Sequence, residues 1–186
     1  MMGEQHKKHS RREHLNDFHL NVAGEYVYDG ALYACQSSEE KQHRIKRAVW
    51  GMAAILIVAV IAGGCIPAPG MQNCFYVLLP YLGEFLGAAS VIWALAKLGT
   101  DWSAVREYNY QKSVAVLPVR TAVTAVFSLL GIVCELIFFF VNDHAGQTFF
   151  ALLYVLLKLT ALLSALVLRA EIMQAEWDKL PKKDNS

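Results

Sequence analysis

The chain has 186 residues, of which 55% are hydrophobic and 18% charged, and its formal net charge is +1. Its mean hydropathy is +0.33, whereas about 25% of the residues of an average soluble protein are charged. This composition excludes a disordered chain and argues against an ordinary soluble globule, and the balanced charge gives no reason to expect a nucleic-acid partner.

Residues 1–17 are polar, and we expect them to form a disordered tail in the cytoplasm. Four histidines in and just after this tail could be considered as metal ligands: His6, His9, His14 and His19. A metal site needs converging ligands that a folded scaffold holds in place. This stretch has no cysteine and no paired carboxylates, so the sequence predicts neither a metal site nor a cofactor here.

Residues 18–47 are expected to form a short cytoplasmic β-hairpin and a basic segment. In the stretch EYVYDGALYA, the dipeptide Asp29-Gly30 lies between two runs of β-forming residues. This arrangement is a strong signal for a two-residue hairpin turn, and the resulting register pairs Tyr26 with Tyr33. An isolated hairpin is marginally stable in water. It must therefore pack against the membrane surface, another part of the chain or another protein.

Two interpretations of the hairpin stay open. It is either a structural plug against the helix ends or a docking element for a partner protein. The docking element would consist of Tyr26, Tyr28, Asp29, Gly30 and Tyr33.

A basic segment follows the hairpin and contains Lys41, Arg44, Lys46 and Arg47. Cations next to a bilayer contribute about 1 kcal/mol each to binding of anionic head groups. These four residues therefore either contact anionic lipids or serve only to orient the chain in the membrane.

Four apolar runs come next, at about residues 48–66, 75–96, 121–141 and 149–168. Each has about the 20 residues with which a helix crosses the hydrocarbon core of a bilayer. Only a helix can expose so long an apolar run to lipid, because its backbone hydrogen bonds close internally. The sequence therefore predicts an all-α transmembrane protein, with a four-helix membrane bundle at residues 48–170 and a cytoplasmic tail at 171–186.

The basic residues predict how the bundle is oriented. Sixteen of the 17 Lys and Arg residues lie before the first run, between the second and third runs, or after the fourth, and the remaining one is Lys158. The connections at residues 67–73 and 142–147 carry none. The positive-inside rule then places both termini in the cytoplasm, and the first run is expected to direct insertion into the cell membrane.

Two of the connections carry further signals. Cys65 and Cys74 flank the external loop CIPAPGMQNC and could form a structural disulfide on the oxidising side. The cytoplasmic connection at residues 97–120 has three aromatic residues among its charges: Trp102, Tyr108 and Tyr110. They are interpreted as interfacial residues, in part on a short amphipathic helix beside the hairpin.

Three charged residues inside the apolar runs are the strongest functional signal, because a charge within a bilayer is costly. They are Glu84, Glu135 and Lys158, which lie on three different predicted helices. From the rise of a helix, Glu84 and Lys158 would lie about 15 Å and Glu135 about 9 Å from the outer helix ends. Small and polar residues recur on the same faces, which predicts that these faces meet inside the bundle.

A cluster of these three residues would neutralise two charges and leave one carboxylate unpaired. In one interpretation the ions lock the bundle together, and desolvation keeps one carboxyl group protonated. In the other, the spare carboxylate binds a proton, a cation or a cationic substrate.

Enzyme signatures are missing from the sequence. It contains no HExxH, GxSxG or GxxxxGK[ST] motif, and no C-x-x-C pair for thiol–disulfide exchange. We therefore expect no catalytic activity.

The chain also resembles a group of small integral membrane proteins of Gram-positive, often gut-dwelling, bacteria. The resemblance spans about residues 18–170 and is carried by an E-Y-x-Y-x-G-x-x-Y element, by FYVLLPY (75–81) and by REYNYQKSV (106–114). It implies a bacterial origin and a location in the cell membrane, and it assigns no activity.

Taken together, these features favour a non-catalytic accessory or scaffold subunit that docks a membrane-protein partner through the hairpin and the connection at 97–120. The alternative is a small proton- or cation-coupled transporter. Four helices are few for a pathway, so the transporter would be a homo-oligomer with Glu84 or Glu135 lining its interface. In both cases the lipid bilayer surrounds the chain.

Overall fold

The structure is a computed structural model that describes residues 18–20, 24, 26–28, 30–142 and 147–181. Its long helices are α1 (Glu39–Cys65), α3 (Phe75–Leu98), α5 (Leu117–Val141) and α6 (Thr148–Met173). Two short helices, α2 (Pro69–Asn73) and α4 (Glu107–Lys112), lie in the connections. Each of the four long helices is long and apolar enough to cross a membrane. The predicted set of four long apolar helices is therefore confirmed.

Helix α1 begins at Glu39, well before the apolar run at residue 48. The Ser38 side chain accepts a hydrogen bond of 3.4 Å from the backbone N–H of Lys41, and Glu39 and Glu40 occupy the first turn. A serine cap and acidic residues at this position stabilise a helix start. Hydropathy marks only the apolar part of α1, and the basic segment forms its first turns.

The four long helices form a closed antiparallel bundle. Helix α1 packs against α6, α6 against α5, α5 against α3, and α3 against α1. Contacts between α3 and α5 show the antiparallel arrangement. The Arg120 guanidinium contacts the Ser90 carbonyl, and Ser128, which is later on α5, contacts Glu84, which is earlier on α3. We call the end that holds the N-terminus of α1 the sheet end, and the end that holds α2 the loop end.

The bundle exposes apolar side chains and buries polar ones. Phe140 is 81% exposed, Phe75 71% and Leu86 68%, whereas Glu84 and Glu135 are both 0% exposed. Exposed apolar surface on this scale marks contact with another apolar phase. The outer surface of the bundle therefore has the character expected of a lipid-facing one.

In the described part of the chain, five short strands form two small sheets. Strands β1 (Phe18–Leu20) and β2 (Tyr26–Tyr28) pair with each other in antiparallel orientation. Strand β3 (Leu32–Cys35) lies between β4 (Val105–Arg106) and β5 (Trp177–Lys179) and is antiparallel to both. The second sheet therefore joins the segment before α1, the connection between α3 and α5, and the segment after α6.

The predicted pairing of Tyr26 with Tyr33 is wrong. Both residues lie in strands, but Tyr26 pairs with Leu20 of β1, and Tyr33 pairs with residues of β4 and β5. As a central strand, β3 gains backbone hydrogen bonds on both edges, whereas a hairpin would satisfy only one. The turn residue Asp29 lies outside the described residues.

Other sequence predictions fall partly or wholly outside the described residues. The expected disordered tail at 1–17, with His6, His9 and His14, is among them. The segment predicted as a C-terminal tail contains the end of α6 and all of β5, and only residues 182–186 of it lie outside the description.

Candidate functional site

Small residues on α3 and α5 let these two helices approach closely. A Cβ atom added at Gly87 would lie 2.6 Å from the Thr124 Oγ1 and 3.3 Å from its Cα. The Arg120 Nη1 donates a hydrogen bond of 2.6 Å to the Ser90 carbonyl at the same interface. The close approach brings the polar face of α5 against Glu84.

A buried ion pair joins α3 to α6. The Lys158 ammonium group contacts the Glu84 Oε2, and the two side chains are 2% and 0% exposed. The Ser128 Oγ donates a hydrogen bond of 2.7 Å to the Glu84 Oε1. Each carboxylate oxygen of Glu84 therefore has a donor, as a buried charge requires.

Two tyrosine rings flank the buried ammonium group. The Lys158 Nζ lies 4.6 Å from the ring centroid of Tyr81 and 5.0 Å from that of Tyr154. Aromatic faces attract cations at such distances, and the attraction is larger where water is excluded. The rings and the carboxylate together keep a charged lysine in the middle of an apolar bundle.

Glu135 is buried apart from this pair. Its Oε1 accepts a hydrogen bond of 3.3 Å from the backbone N–H of Gly70. Its Oε2 has no hydrogen-bond partner among the described residues, and no described cation forms an ion pair with it. The carboxylate that remains unpaired in the bundle is therefore that of Glu135.

Helix α2 covers Glu135 at the loop end. Pro69 occupies the first turn of α2, where its fixed backbone angle favours a helix start. Gly70 then lies directly on the Glu135 carboxylate, since a Cβ atom at position 70 would overlap Oε2. A side chain at position 70 would displace the Glu135 carboxylate from its contact with α2.

Tyr154 lies across from Glu135, at the same level of the bundle. Helices α5 and α6 are antiparallel, with the Arg169 Nη1 donating to the Pro118 carbonyl at 3.0 Å and Lys158 beside Gly131. Toward the loop end, Glu135 lies four residues after Gly131 on α5, and Tyr154 lies four residues before Lys158 on α6. The Tyr154 ring is 0% exposed, and its hydroxyl has no described hydrogen-bond partner.

The predicted cluster is thus arranged as a pair and a separate carboxylate. Glu84 and Lys158 meet at one level, and Glu135 lies one helical turn closer to the loop end than Gly131 does. Glu84 and Glu135 are both fully buried within one chain, and the expectation that one of them lines an interface between chains stays a prediction. Sequence reasoning missed Gly70 and Tyr81, and only the position of Tyr81 three residues before Glu84 could have indicated its role.

The predicted docking tyrosines differ in their surroundings. Tyr33 stacks on Tyr110 of α4 with 4.2 Å between ring centroids, and Tyr110 in turn contacts Trp177. The Tyr28 hydroxyl donates to the Ala31 carbonyl at 3.2 Å, and its ring covers Gly30 and faces Arg106. Tyr26 is 75% exposed.

The four basic residues of the first turns of α1 divide into two pairs. Lys41 forms an ion pair of 3.3 Å with Glu176, and the Lys46 Nζ lies 5.3 Å from the ring centroid of the buried Trp102. Arg44 and Arg47 are exposed. Two of the predicted lipid contacts are therefore engaged with the sheet end, and two face outward.

The turn before β4 is held by Asp101. Its carboxylate accepts hydrogen bonds from the Ser103 N–H at 3.0 Å and from the Ser103 Oγ at 2.7 Å. These bonds stabilise the charged form, so they hold the pKa of the Asp101 carboxyl below its ordinary value. The turn positions Trp102 beneath the sheet.

The cysteines do not form disulfide bonds in this structure. Cys35, Cys65, Cys74 and Cys134 all carry free thiols. Cys65 ends α1 and Cys74 precedes α3, so both lie at the loop end. The disulfide between them stays a prediction.

Within residues 18–20, 24, 26–28, 30–142 and 147–181, no group of three His, Cys, Asp or Glu residues could hold a metal ion. Comparison with protein-family models, curated proteins and solved structures gave no match. The resemblance to small bacterial membrane proteins therefore stays a hypothesis, and function must be inferred from the chain's own residues.

Proposed function

We propose that the chain is a small multi-pass protein of the cell membrane, with both termini in the cytoplasm, that binds and releases a proton at Glu135 as a proton-coupled transporter. In this orientation the sheet end faces the cytoplasm and the loop end faces outward, which the distribution of Lys and Arg residues favours. Ionisable groups inside a membrane are commonly part of ion or proton pathways.

The observation that carries the proposal is the incomplete bonding of Glu135. The carboxylate is 0% exposed and has one hydrogen bond, whereas a buried ionised carboxylate needs several donors or a cation. The Tyr154 hydroxyl, which has no hydrogen-bond partner within the described part of the chain, lies across from it. Since a tyrosine hydroxyl both donates and accepts hydrogen bonds, it suits both the neutral and the ionised form of Glu135.

The tight packing around Glu135 favours a proton over a larger cation. Gly70 lies against Oε2 so closely that a methyl group would not fit, and Val77 fills the adjacent space. A metal ion would need several further oxygen ligands at bonding distance. A proton needs only the carboxylate and one acceptor.

Few other titratable groups lie near Glu135. Tyr154 on α6 and Tyr76 on α3 interact electrostatically with Glu135. Tyr76 also interacts with Cys134, the residue before Glu135. Lys158 lies one turn further along α6, paired with Glu84. Helix α2 contributes only the residues PGMQN, none of which is titratable.

The proposal is tested by infrared spectroscopy of the protein in lipid nanodiscs during a pH titration. The wild type should show the C=O stretching band of a protonated carboxyl group, which decreases as the pH rises and is absent in Glu135→Gln. The control is Glu40→Gln, at an exposed position in the first turn of α1. An unchanged band in Glu135→Gln would exclude Glu135 as the proton site.

Transport is tested separately in liposomes that contain a pH-sensitive dye. We expect the wild type to dissipate an imposed pH difference and Glu135→Gln to do so no faster than empty liposomes. Glu40→Gln should match the wild type. Equal rates for Glu135→Gln and the wild type would contradict the transport function.

An accessory or scaffold subunit is the second candidate. The observation in its favour is the exposure of Tyr26, whereas Tyr28 and Tyr33 already have partners within the chain. A mild-detergent pull-down followed by mass spectrometry of the intact assembly tests this function. A second membrane protein at fixed stoichiometry that is lost with Tyr26→Ala would support it, and a homo-oligomer alone would weaken it.

A further inference from the structure

We propose that Lys158 forms an ion pair with either of two carboxylates, Glu84 and Glu135. When one of the two carboxylates is protonated, the ammonium group pairs with the other. The proposal rests on the proposed proton binding at Glu135 and adds the residue that links this site to the middle of the bundle. The structure holds the state in which Lys158 contacts Glu84.

Gly131 leaves the space in which the Lys158 side chain crosses α5. A Cβ atom at position 131 would lie 3.5 Å from the Lys158 Cε and 3.8 Å from its Nζ. Gly131 lies between Ser128, which binds Glu84, and Glu135. On α5 the distance from Gly131 to Glu135 is four residues, or about 6 Å along the axis. The lysine therefore crosses α5 between its two proposed partners.

The directions of the helices favour the second contact. Side chains in an α-helix lean toward its N-terminus. Because α5 and α6 are antiparallel, this tendency directs Lys158 toward the loop end and Glu135 toward the sheet end. In the structure the Glu135 carboxylate contacts the backbone of Gly70, so the exchange requires the Glu135 side chain to rotate away from α2 and toward Lys158.

Tyr154 and Tyr81 provide a path for the charged group. Their rings lie 5.0 Å and 4.6 Å from the ammonium nitrogen. Tyr154 precedes Lys158 by one turn and lies at the level of Glu135. An ammonium group that moves toward Glu135 keeps an aromatic face beside it, which lowers the cost of leaving the first carboxylate.

The exchange keeps the net charge of the core unchanged. In the first state Lys158 pairs with ionised Glu84, and Glu135 carries a proton. The O–H bond of Glu135 then breaks and its proton leaves to water at the loop end, while an O–H bond forms on Glu84 with a proton from the sheet end. In the second state Lys158 pairs with ionised Glu135. One proton has then been taken up at the sheet end and one released at the loop end. The first state returns when the O–H bond of Glu84 breaks and its proton forms an O–H bond on Glu135, while Lys158 moves back to Glu84. The reverse sequence carries a proton the other way, so the pH difference sets the direction.

A double-mutant cycle in nanodiscs tests the shared lysine. We expect Glu84→Gln to fold and lose little thermal stability, because Lys158 then pairs with Glu135. Glu135→Gln should also be tolerated, because the pair with Glu84 remains. The double variant leaves a buried lysine without a carboxylate, and its melting temperature should fall by about 10 °C more than the two single changes predict.

The infrared spectrum gives a second readout that a purely structural ion pair would not change. In Glu84→Gln the protonated carboxyl band of Glu135 should disappear at neutral pH, since Lys158 now holds Glu135 in its ionised form. In Glu84→Gln with Lys158→Met the band should return. In the Lys158→Met background, the stability effects of the two Glu→Gln changes should become additive.

Additive stability effects in the presence of Lys158, or a Glu84→Gln variant that does not fold, would overturn the shared lysine. Persistence of the Glu135 band in Glu84→Gln would do the same. Each of these results leaves the titration of Glu135 in the wild type intact. Failure of this inference is therefore distinguishable from failure of the proposed proton site.

Discussion

Gly70 lies so close to the Glu135 carboxylate that it has no room for a side chain. We expect Gly70→Ala to destabilise the protein by about 1–3 kcal/mol, the usual cost of overpacking a filled core. The matched control is Gly63→Ala, a buried helical position on α1 where an added Cβ meets nothing within 4 Å. That change should stabilise α1 by up to about 1 kcal/mol. Unfolding in detergent measures both, and equal effects would contradict the packing of α2 on Glu135.

At the residue scale, the sequence identifies the buried charges but not their bonding. Glu84, Glu135 and Lys158 are visible because each interrupts an apolar run, and Ser128 and Tyr154 lie on the same predicted faces. The pairing of Lys158 with Glu84 depends on how the helices are rotated, which the spacing of residues does not specify. Gly70 could not be found because its role depends on a backbone contact across 65 positions of sequence.

At the element scale, the close approach of α3 and α5 depends on Gly87. We expect Gly87→Ala to destabilise the bundle by about 1–3 kcal/mol, because the new methyl group would meet the side chain and the backbone of Thr124. The control is Gly131 on α5, where an added Cβ would make ordinary contact with Lys158 of α6 at 3.5 Å. Gly131→Ala should be neutral or stabilising. The contact between α3 and α5 would be in doubt if Gly131→Ala proved the more damaging of the two.

Stacked aromatic rings pack beside the second sheet. We expect Tyr33→Ala to cost about 1–3 kcal/mol, because it removes the stack on Tyr110 together with buried area. Tyr26→Ala should change stability by less than about 0.5 kcal/mol, since Tyr26 is exposed. Hydrogen exchange of β3 measures the difference. Equal protection in the two variants would show that the stack does not hold the sheet.

Helices and strands could be predicted from the sequence where the pattern that specifies them is local. They could not be predicted where they depend on residues far away in the chain. The four apolar runs predict the long helices because each run must satisfy its own backbone. The partners of β3 come from residues 105–106 and 177–179, and the Asp29-Gly30 turn signal contains no information about them. Helix α2 has five residues, too few for any periodicity to appear.

At the scale of the whole molecule, the proposed orientation depends on the distribution of charge. The sheet end gathers segments from the N-terminal region, the α3–α5 connection and the C-terminal region, where the basic residues are concentrated. Among the described residues, the loop end holds the short helix α2. Folding a sheet at one end also requires water there, because the strand edges and the ions Lys41 and Glu176 need solvent.

The proposed orientation predicts opposite labelling of two thiols in an otherwise cysteine-free chain. Cys65 is exposed at the loop end and should react with a membrane-impermeant maleimide added to intact cells. Gln36→Cys, at an exposed position beside β3, should react only after the membrane is opened. Labelling of both from the same side would contradict the crossing by α1. Restoring Cys74 beside Cys65 then tests the disulfide, since an oxidised pair resists the maleimide until it is reduced.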